Sequence, residues 1–96
     1  MRIEVIDLTS TEVVNVRAPH VPEFLSVQTR EYIALDDKDI GFIMGKRSDM
    51  LMGILCHAGL IHPGWKGKLQ PFFIVYGRWG IPPGQVIAHA IILRHD

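Results

Sequence analysis

The sequence has little cysteine, no excess of charge and no long apolar run. Cys56 is the only cysteine, so the chain cannot close an internal disulfide. Ten basic side chains match ten acidic ones, which leaves no diffuse positive field for a nucleic-acid backbone. No apolar run approaches the ~18 residues of a membrane span, and the start, Met1–Asp7, does not resemble a signal peptide. We therefore expect a cytoplasmic protein that binds neither polymeric nucleic acid nor membranes.

What remains is an ordinary globular composition. The chain has 96 residues, of which 48% are hydrophobic and 21% are charged. This much apolar surface can form one packed core, but the length is too short for two. We predict one domain over residues 1–96.

Glycine and proline divide the chain into short apolar runs. Nine glycines and six prolines separate segments rich in β-branched and aromatic residues, the pattern of an all-β barrel or sandwich. Helix is expected only as one turn over Ser48–Met52, and the clearest turn is Ile81–Gly84. The predicted strands are Ile3–Ile6, Val13–Val16, Phe24–Val27, Tyr32–Leu35, Ile40–Met44, Ile54–His57, Leu69–Tyr76 and Val86–Leu93.

Two predicted strands are apolar on both faces. In Phe72–Tyr76 and Val86–Leu93 the apolar residues do not alternate with polar ones, so both faces need cover. A neighbouring subunit is one possible cover, and the second layer of a sandwich within the chain is the other. The sequence leaves both open.

Four motifs occur in an order that resembles one family. They are Pro22–Leu35, Ile40–Ser48 with its Gly-Lys-Arg-Ser end, Gly53–Gly67 with Pro-Gly-Trp, and Pro83–His89 with Pro-Gly-Gln-Val-Ile-Ala-His. Together with their spacing they resemble the dUTPase and dCTP deaminase superfamily over about three quarters of the chain. The resemblance implies a β-clip fold, a distorted barrel of short strands. It also implies a homotrimer that binds deoxypyrimidine nucleotides between subunits.

The resemblance also assigns candidate binding residues. Lys46, Arg47 and Ser48 stand where the family holds triphosphate oxygens, a role suited to charged donors and a hydroxyl. Gly59 begins the hairpin of the base pocket, and Trp65 has that hairpin's aromatic position. His89 replaces the glutamine of the last motif.

Both family reactions lack a carboxylate in this sequence. The aspartate that activates water in dUTPases is His62 here, and the catalytic glutamate of the deaminases is Phe72. The later deaminase arginine aligns with Leu51. Imidazole can accept a proton at neutral pH, whereas phenylalanine cannot. Whether the protein is an enzyme therefore stays open.

Three functions follow as hypotheses. The first is a deoxypyrimidine nucleotide-binding trimer with altered catalysis. The second is a nucleotide hydrolase that uses His62 as base, with Mg²⁺ arriving on the triphosphate. The third is a structural or protein-interaction trimer. A metal held by the protein is not expected, because Cys56, His57, His62 and His89 do not have the spacing of a zinc site.

Overall fold

The computed structural model describes residues 1–57 and 59–95, and almost all of its regular structure is β-strand. This confirms the all-β fold class. The elements are β1 (Arg2–Thr9), β2 (Val14–Ser26), β3 (Ile33–Ala34), β4 (Ile40–Gly45), α1 (Arg47–Leu51), β5 (Ile54–Cys56), β6 (Gly59–Ile61), β7 (Lys66–Gly67), β8 (Phe72–Ile81) and β9 (Val86–Arg94).

The strands form three antiparallel sheets rather than one closed barrel. The first sheet has the order β1-β9-β4-β6, the second β2-β8-β5, and the third contains β3 and β7. β9 is central in the first sheet and pairs with β1 and β4 along most of its length. β8 is the central strand of the second sheet and pairs with β2 and β5. The two longest apolar strands thus organise the two larger sheets.

Several element bounds differ from the sequence prediction. β2 is one strand where two were predicted, because the segment between Ala18 and Glu23 bulges out and pairing with β8 resumes beyond it. The prolines in this segment provide no amide hydrogens for a ladder. β6 and β7 were not predicted, since two or three residues are too few to show alternation. The predicted helical turn is present as α1, without a side-chain cap.

The core lies between the inner faces of the two larger sheets. Phe73, Val75 and Trp79 project into it from β8, and the rings of Phe73 and Trp79 are 4.7 Å apart. Ile87 and Ile92 project into it from β9 and are almost fully buried. Alternate residues of β8 supply this core, as the pleat requires. In β9 the register shift opposite Leu8 and Thr9 breaks the alternation, so the adjacent Ile87 and Ala88 are both buried.

The outer faces of both larger sheets remain apolar and exposed. On the first sheet the exposed residues include Ile3, Val5, Phe42, Met44 and Leu60, and on the second they are Phe24, Leu55, Phe72 and Tyr76. A sandwich within one chain therefore covers only one face of each sheet, so of the two alternatives left open by the sequence, cover of both faces by the chain's own second layer is not observed. Within the described ranges, no helix is long and apolar enough to cross a membrane.

Candidate functional site

A cleft of about 440 Å³ opens between the edge of the first sheet and the chain leading into β8. Such volumes suit a small molecule. Its walls are mainly apolar, with polar groups placed around them. The lining residues are Gln28, Ile43, Leu60, Ile61, His62, Trp65, Lys68, Leu69 and Gln70.

Backbone hydrogen bonds hold the segment that carries His62 and Trp65. The Trp65 amide donates to the His62 carbonyl at 3.1 Å, and the Trp65 carbonyl accepts from the Leu35 amide at 2.8 Å. Gly64 has a φ of +81°, which a residue with a side chain rarely adopts, and its amide donates to the Asp36 carbonyl. The turn is thereby fixed against the loop after β3, and both aromatic side chains border the cleft.

A second set of backbone bonds places the two glutamines at the cleft. The Val27 amide donates to the Pro71 carbonyl, and the Thr29 amide and hydroxyl both donate to the Leu69 carbonyl. Gln28 and Gln70 lie between these bonds on neighbouring stretches of chain. Their carboxamides offer donors and acceptors to the same cleft.

The chemistry available in the cleft is binding and limited proton transfer. Trp65 is 40% exposed and offers an aromatic face, while Lys68 offers a positive charge. Among the lining residues, His62 has the class of side chain that most often serves as a general base, and no carboxylate is among them. In residues 1–57 and 59–95 no cluster of three metal-ligating side chains occurs.

The predicted phosphate-binding residues lie outside this cleft. Lys46 donates to the Val86 carbonyl at 3.3 Å and lies 4.0 Å from an Asp49 oxygen, so its ammonium holds α1 against β9. Arg47 and Ser48 begin α1 with exposed side chains. The Arg47 guanidinium and the Ser48 hydroxyl are therefore accessible to a ligand, but a ligand bound entirely within the cleft of the same chain would not reach them.

His89 and Gly59 occupy two further places. The His89 Nδ1 lies 2.9 Å from an Asp7 carboxylate oxygen on the outer face of the first sheet. Its backbone pairs with Met44, just before α1, so it is nearer to Lys46–Ser48 along the sheet than to His62. Gly59 pairs with Ile43, and a methyl group there would meet only the Ile43 Cδ1 at 3.8 Å. One chain thus distributes the predicted site residues over three regions.

The surroundings of Phe72 and Cys56 fit packing rather than catalysis. Phe72 lies on the outer face of the second sheet and stacks on Phe24 at 6.2 Å, and it does not line the cleft. Burial raises the pKa of the Cys56 thiol to about 11, which disfavours the thiolate that a nucleophile needs.

The sequence prediction missed three polar cleft residues, Gln28, Lys68 and Gln70. Each lies in a connecting segment with no motif of its own. Gln28 and Gln70 alternate with buried residues in Val27–Thr29 and Leu69–Pro71, and this alternation could have indicated outward-facing side chains. No local signal shows that the two segments meet.

Sequence comparisons with known proteins find one similar segment but no matching family model. No model of a known protein family matches the chain. The human endogenous retrovirus group K member 9 Pol protein is 25% identical over 93 residues, which cover 97% of this chain. The chain spans only 8% of the length of that Pol protein.

Solved dUTPase structures superpose on nearly the whole chain. The native EIAV dUTPase matches with a TM-score of 0.76 and 25% identity, over 94% of this chain and 74% of its own. A mutant dUTPase of Staphylococcus bacteriophage 80alpha with bound dUpNHpp has a TM-score of 0.76 at 13% identity, covering 99% and 86%. A mutant dUTPase from phage phi11 of S. aureus, described with a structural Mg(II) ion, has a TM-score of 0.76 at 13% identity, covering 100% and 92%.

Proposed function

We propose, from the similarity of the chain to solved dUTPase structures, that it binds a deoxypyrimidine nucleotide in the cleft beside His62 and Trp65, with altered catalysis. The observation that carries this proposal is the cleft itself. It joins an aromatic face, two carboxamides and a cation in one concave space. A nucleoside has a flat apolar base with polar edges, which such a set can stack on and hydrogen-bond.

The phosphates in this proposal are bound by a neighbouring subunit. Arg47 and Ser48 are exposed and lie outside the cleft of their own chain, so they are free to complete the cleft of another copy. A guanidinium and a hydroxyl are suited to phosphate oxygens. The nucleotide would then bind across a subunit interface.

The exposed apolar faces support a trimer. A closed ring with threefold symmetry joins two different surfaces of each copy. This chain has two such surfaces on different sheets, one containing Val5 and Phe42 and the other containing Phe72 and Tyr76. Light scattering should give three times the mass of one chain, and a monomer at micromolar concentration would contradict the trimer.

The cleft does not fit a magnesium ion held by the protein. Mg²⁺ prefers carboxylate oxygens, and no carboxylate lines the cleft. Any Mg²⁺ would therefore come with the triphosphate oxygens of the ligand. We expect Mg²⁺ to change triphosphate affinity while leaving monophosphate affinity nearly unchanged.

Catalysis is proposed to be absent or slow. General acid–base groups typically contribute roughly 10²–10⁴-fold, and His62 stands where the family's water-activating carboxylate would be. His62→Asp should therefore raise any residual dUTP hydrolysis. If the parent protein turns over dUTP normally and His62→Ala abolishes that turnover, histidine is the base and the hydrolase hypothesis is correct.

Calorimetry with dUMP, dUTP and dCTP, with and without Mg²⁺, tests the binding proposal. Arg47→Ala should weaken triphosphate binding by roughly 1.5–3 kcal/mol, the contribution of a charge-assisted hydrogen bond, and leave dUMP binding largely intact. Gly59→Ala should fold normally because a methyl group has room there, and weaker nucleotide binding by this variant would extend the proposed base site from the cleft to Gly59. No binding of any of these nucleotides by the parent protein would leave the structural or protein-interaction trimer as the function.

A further inference from the structure

Two arginines lie directly opposite each other on neighbouring strands. Arg17 of β2 pairs with Arg78 of β8 in antiparallel register, and both side chains are exposed. Directly opposite residues of an antiparallel pair project from the same face, with Cβ atoms about 4.5–5.5 Å apart. Two guanidinium groups therefore share one small area of surface, and neither borders the nucleotide cleft.

No residue that the structure describes neutralises this pair of charges. Among residues 1–57 and 59–95, neither guanidinium has a hydrogen bond or an ion pair. Like charges directly opposite each other on a sheet are destabilising. By contrast, Arg94, on the other long strand, contacts Glu4 and Asp39. The fold therefore leaves an unbalanced pair of positive charges at one place on a chain of zero net charge.

The two arginines also border a concave space. A pocket of about 200 Å³ is lined by Arg17, Ala18, Pro19, Gly77 and Arg78, and we term it the arginine pocket. The pocket lies where the bulge in β2 leaves the ladder, because pairing with β8 is interrupted between Ala18 and Glu23. Gly77 has a φ of +95°, and a Cβ there would meet nothing within 4 Å. The backbone is thus open at this point of the pocket.

We propose that the arginine pocket binds a phosphate monoester dianion. Two guanidinium groups supply two positive charges and planar arrays of donors that match phosphate oxygens. A monoester carries close to two negative charges at neutral pH, whereas a phosphodiester or a carboxylate carries one. The small pocket and zero net charge exclude an extended nucleic-acid backbone as the ligand. Inorganic phosphate, a phosphorylated side chain and a terminal nucleotide phosphate all offer the required group.

Calorimetry with inorganic phosphate, phosphoserine, dUMP, dimethyl phosphate and acetate tests this proposal at constant ionic strength. Phosphate and phosphoserine should bind, and dimethyl phosphate and acetate should bind at least roughly tenfold more weakly. Arg17→Gln and Arg78→Gln should each weaken phosphoserine binding by roughly 10- to 100-fold, the equivalent of one charge-assisted hydrogen bond. Binding of phosphoserine assigns a phosphorylated side chain as a source of the phosphate group. Binding of inorganic phosphate without phosphoserine restricts the source to free phosphate and nucleotides. Because the cleft is proposed to bind dUMP as well, dUMP binding counts for the arginine pocket only where Arg17→Gln weakens it.

Two variants separate the arginine pocket from other effects. Arg30→Gln removes an exposed arginine outside the pocket and should leave phosphoserine affinity unchanged. Arg47→Ala should also leave phosphoserine affinity unchanged, although it weakens triphosphate binding. Arg17→Glu creates an opposite-charge pair with Arg78, so it should raise the melting temperature and abolish phosphoserine binding. Equal affinity in the parent and both glutamine variants, equal loss in Arg30→Gln, or no phosphate binding by the parent would overturn the proposal.

Discussion

At Gly45, the glycine before the Lys-Arg-Ser segment, a single added methyl group should have a large effect on stability. Gly45 ends β4 and lies against β5, where a Cβ added to it would be 2.7 Å from the Cβ of Cys56. Such an approach is well inside the contact distance of two carbon atoms, about 3.5–4.0 Å. Because the obstructing atom is a Cβ fixed to the backbone, relief requires one strand to move.

The predicted magnitude follows from this overlap. Overpacking typically costs about 1–3 kcal/mol, and each kcal/mol lowers the melting temperature of a domain of this size by roughly 4–8 °C. Gly45→Ala should therefore melt clearly below the parent in a calorimetric scan. Gly59→Ala is the matched control, because its new methyl group would meet only the Ile43 Cδ1 at 3.8 Å and should leave the melting temperature nearly unchanged.

A double-mutant cycle identifies the contact itself. Cys56→Gly removes the obstructing Cβ, and the remaining Cys56 backbone atoms lie 3.5 Å or more from the Cβ position at Gly45. The Gly45→Ala cost should therefore fall sharply in the Cys56→Gly background and persist in Cys56→Ser, which keeps the Cβ. Equal melting temperatures for Gly45→Ala and the parent, or an equal cost in all backgrounds, would refute the assignment of this glycine to strand packing.

Three further predictions concern stability and reactivity. Phe73→Ala should cost about 3–5 kcal/mol in urea unfolding because that ring is fully buried. Phe72→Ala, on the outer face, should cost far less at dilutions where light scattering shows single chains, and equal costs there would contradict the assigned faces. The backbone amides of His95 and Asp36, followed by the Arg94 guanidinium, lower the pKa of Asp39 below 3.8. The ionised Asp39 therefore contributes its full stabilisation above pH ~4, and this contribution is lost as the pH falls through the lowered pKa. The free energy of unfolding measured from pH 5 to 2 should depend less on pH in Asp39→Asn than in the parent, and an identical pH dependence would contradict this. Because the Cys56 pKa is raised from 9.0 to about 11, iodoacetamide at pH 8 should modify the folded protein roughly 100-fold more slowly than the unfolded protein, and equal rates would exclude this burial effect.

Local sequence patterns determined the fold class and most of the strands. β-branched runs between glycine and proline predicted β4, β5 and β9 within one residue of their observed bounds and the middle of β1, because alternation and turn residues act over a few neighbouring residues. The turn over Ile81–Gly84 separates β8 from β9 as expected. The order of four motifs predicted the architecture that the chain shares with solved dUTPase structures, since each motif is a local segment and their order is read directly from the chain.

Only the tertiary structure decided which distant residues meet. The cleft brings Gln28 next to Gln70 through hydrogen bonds between segments 40 residues apart, and no local pattern contains that pairing. Sheet order places His62 in the cleft, His89 on an outer face with Asp7, and Arg47 at the start of α1, although the sequence grouped all three as one site. Register likewise sets Arg17 opposite Arg78. Cross-strand neighbours depend on how the whole chain buries its apolar faces, so they exist only once the sheets have formed.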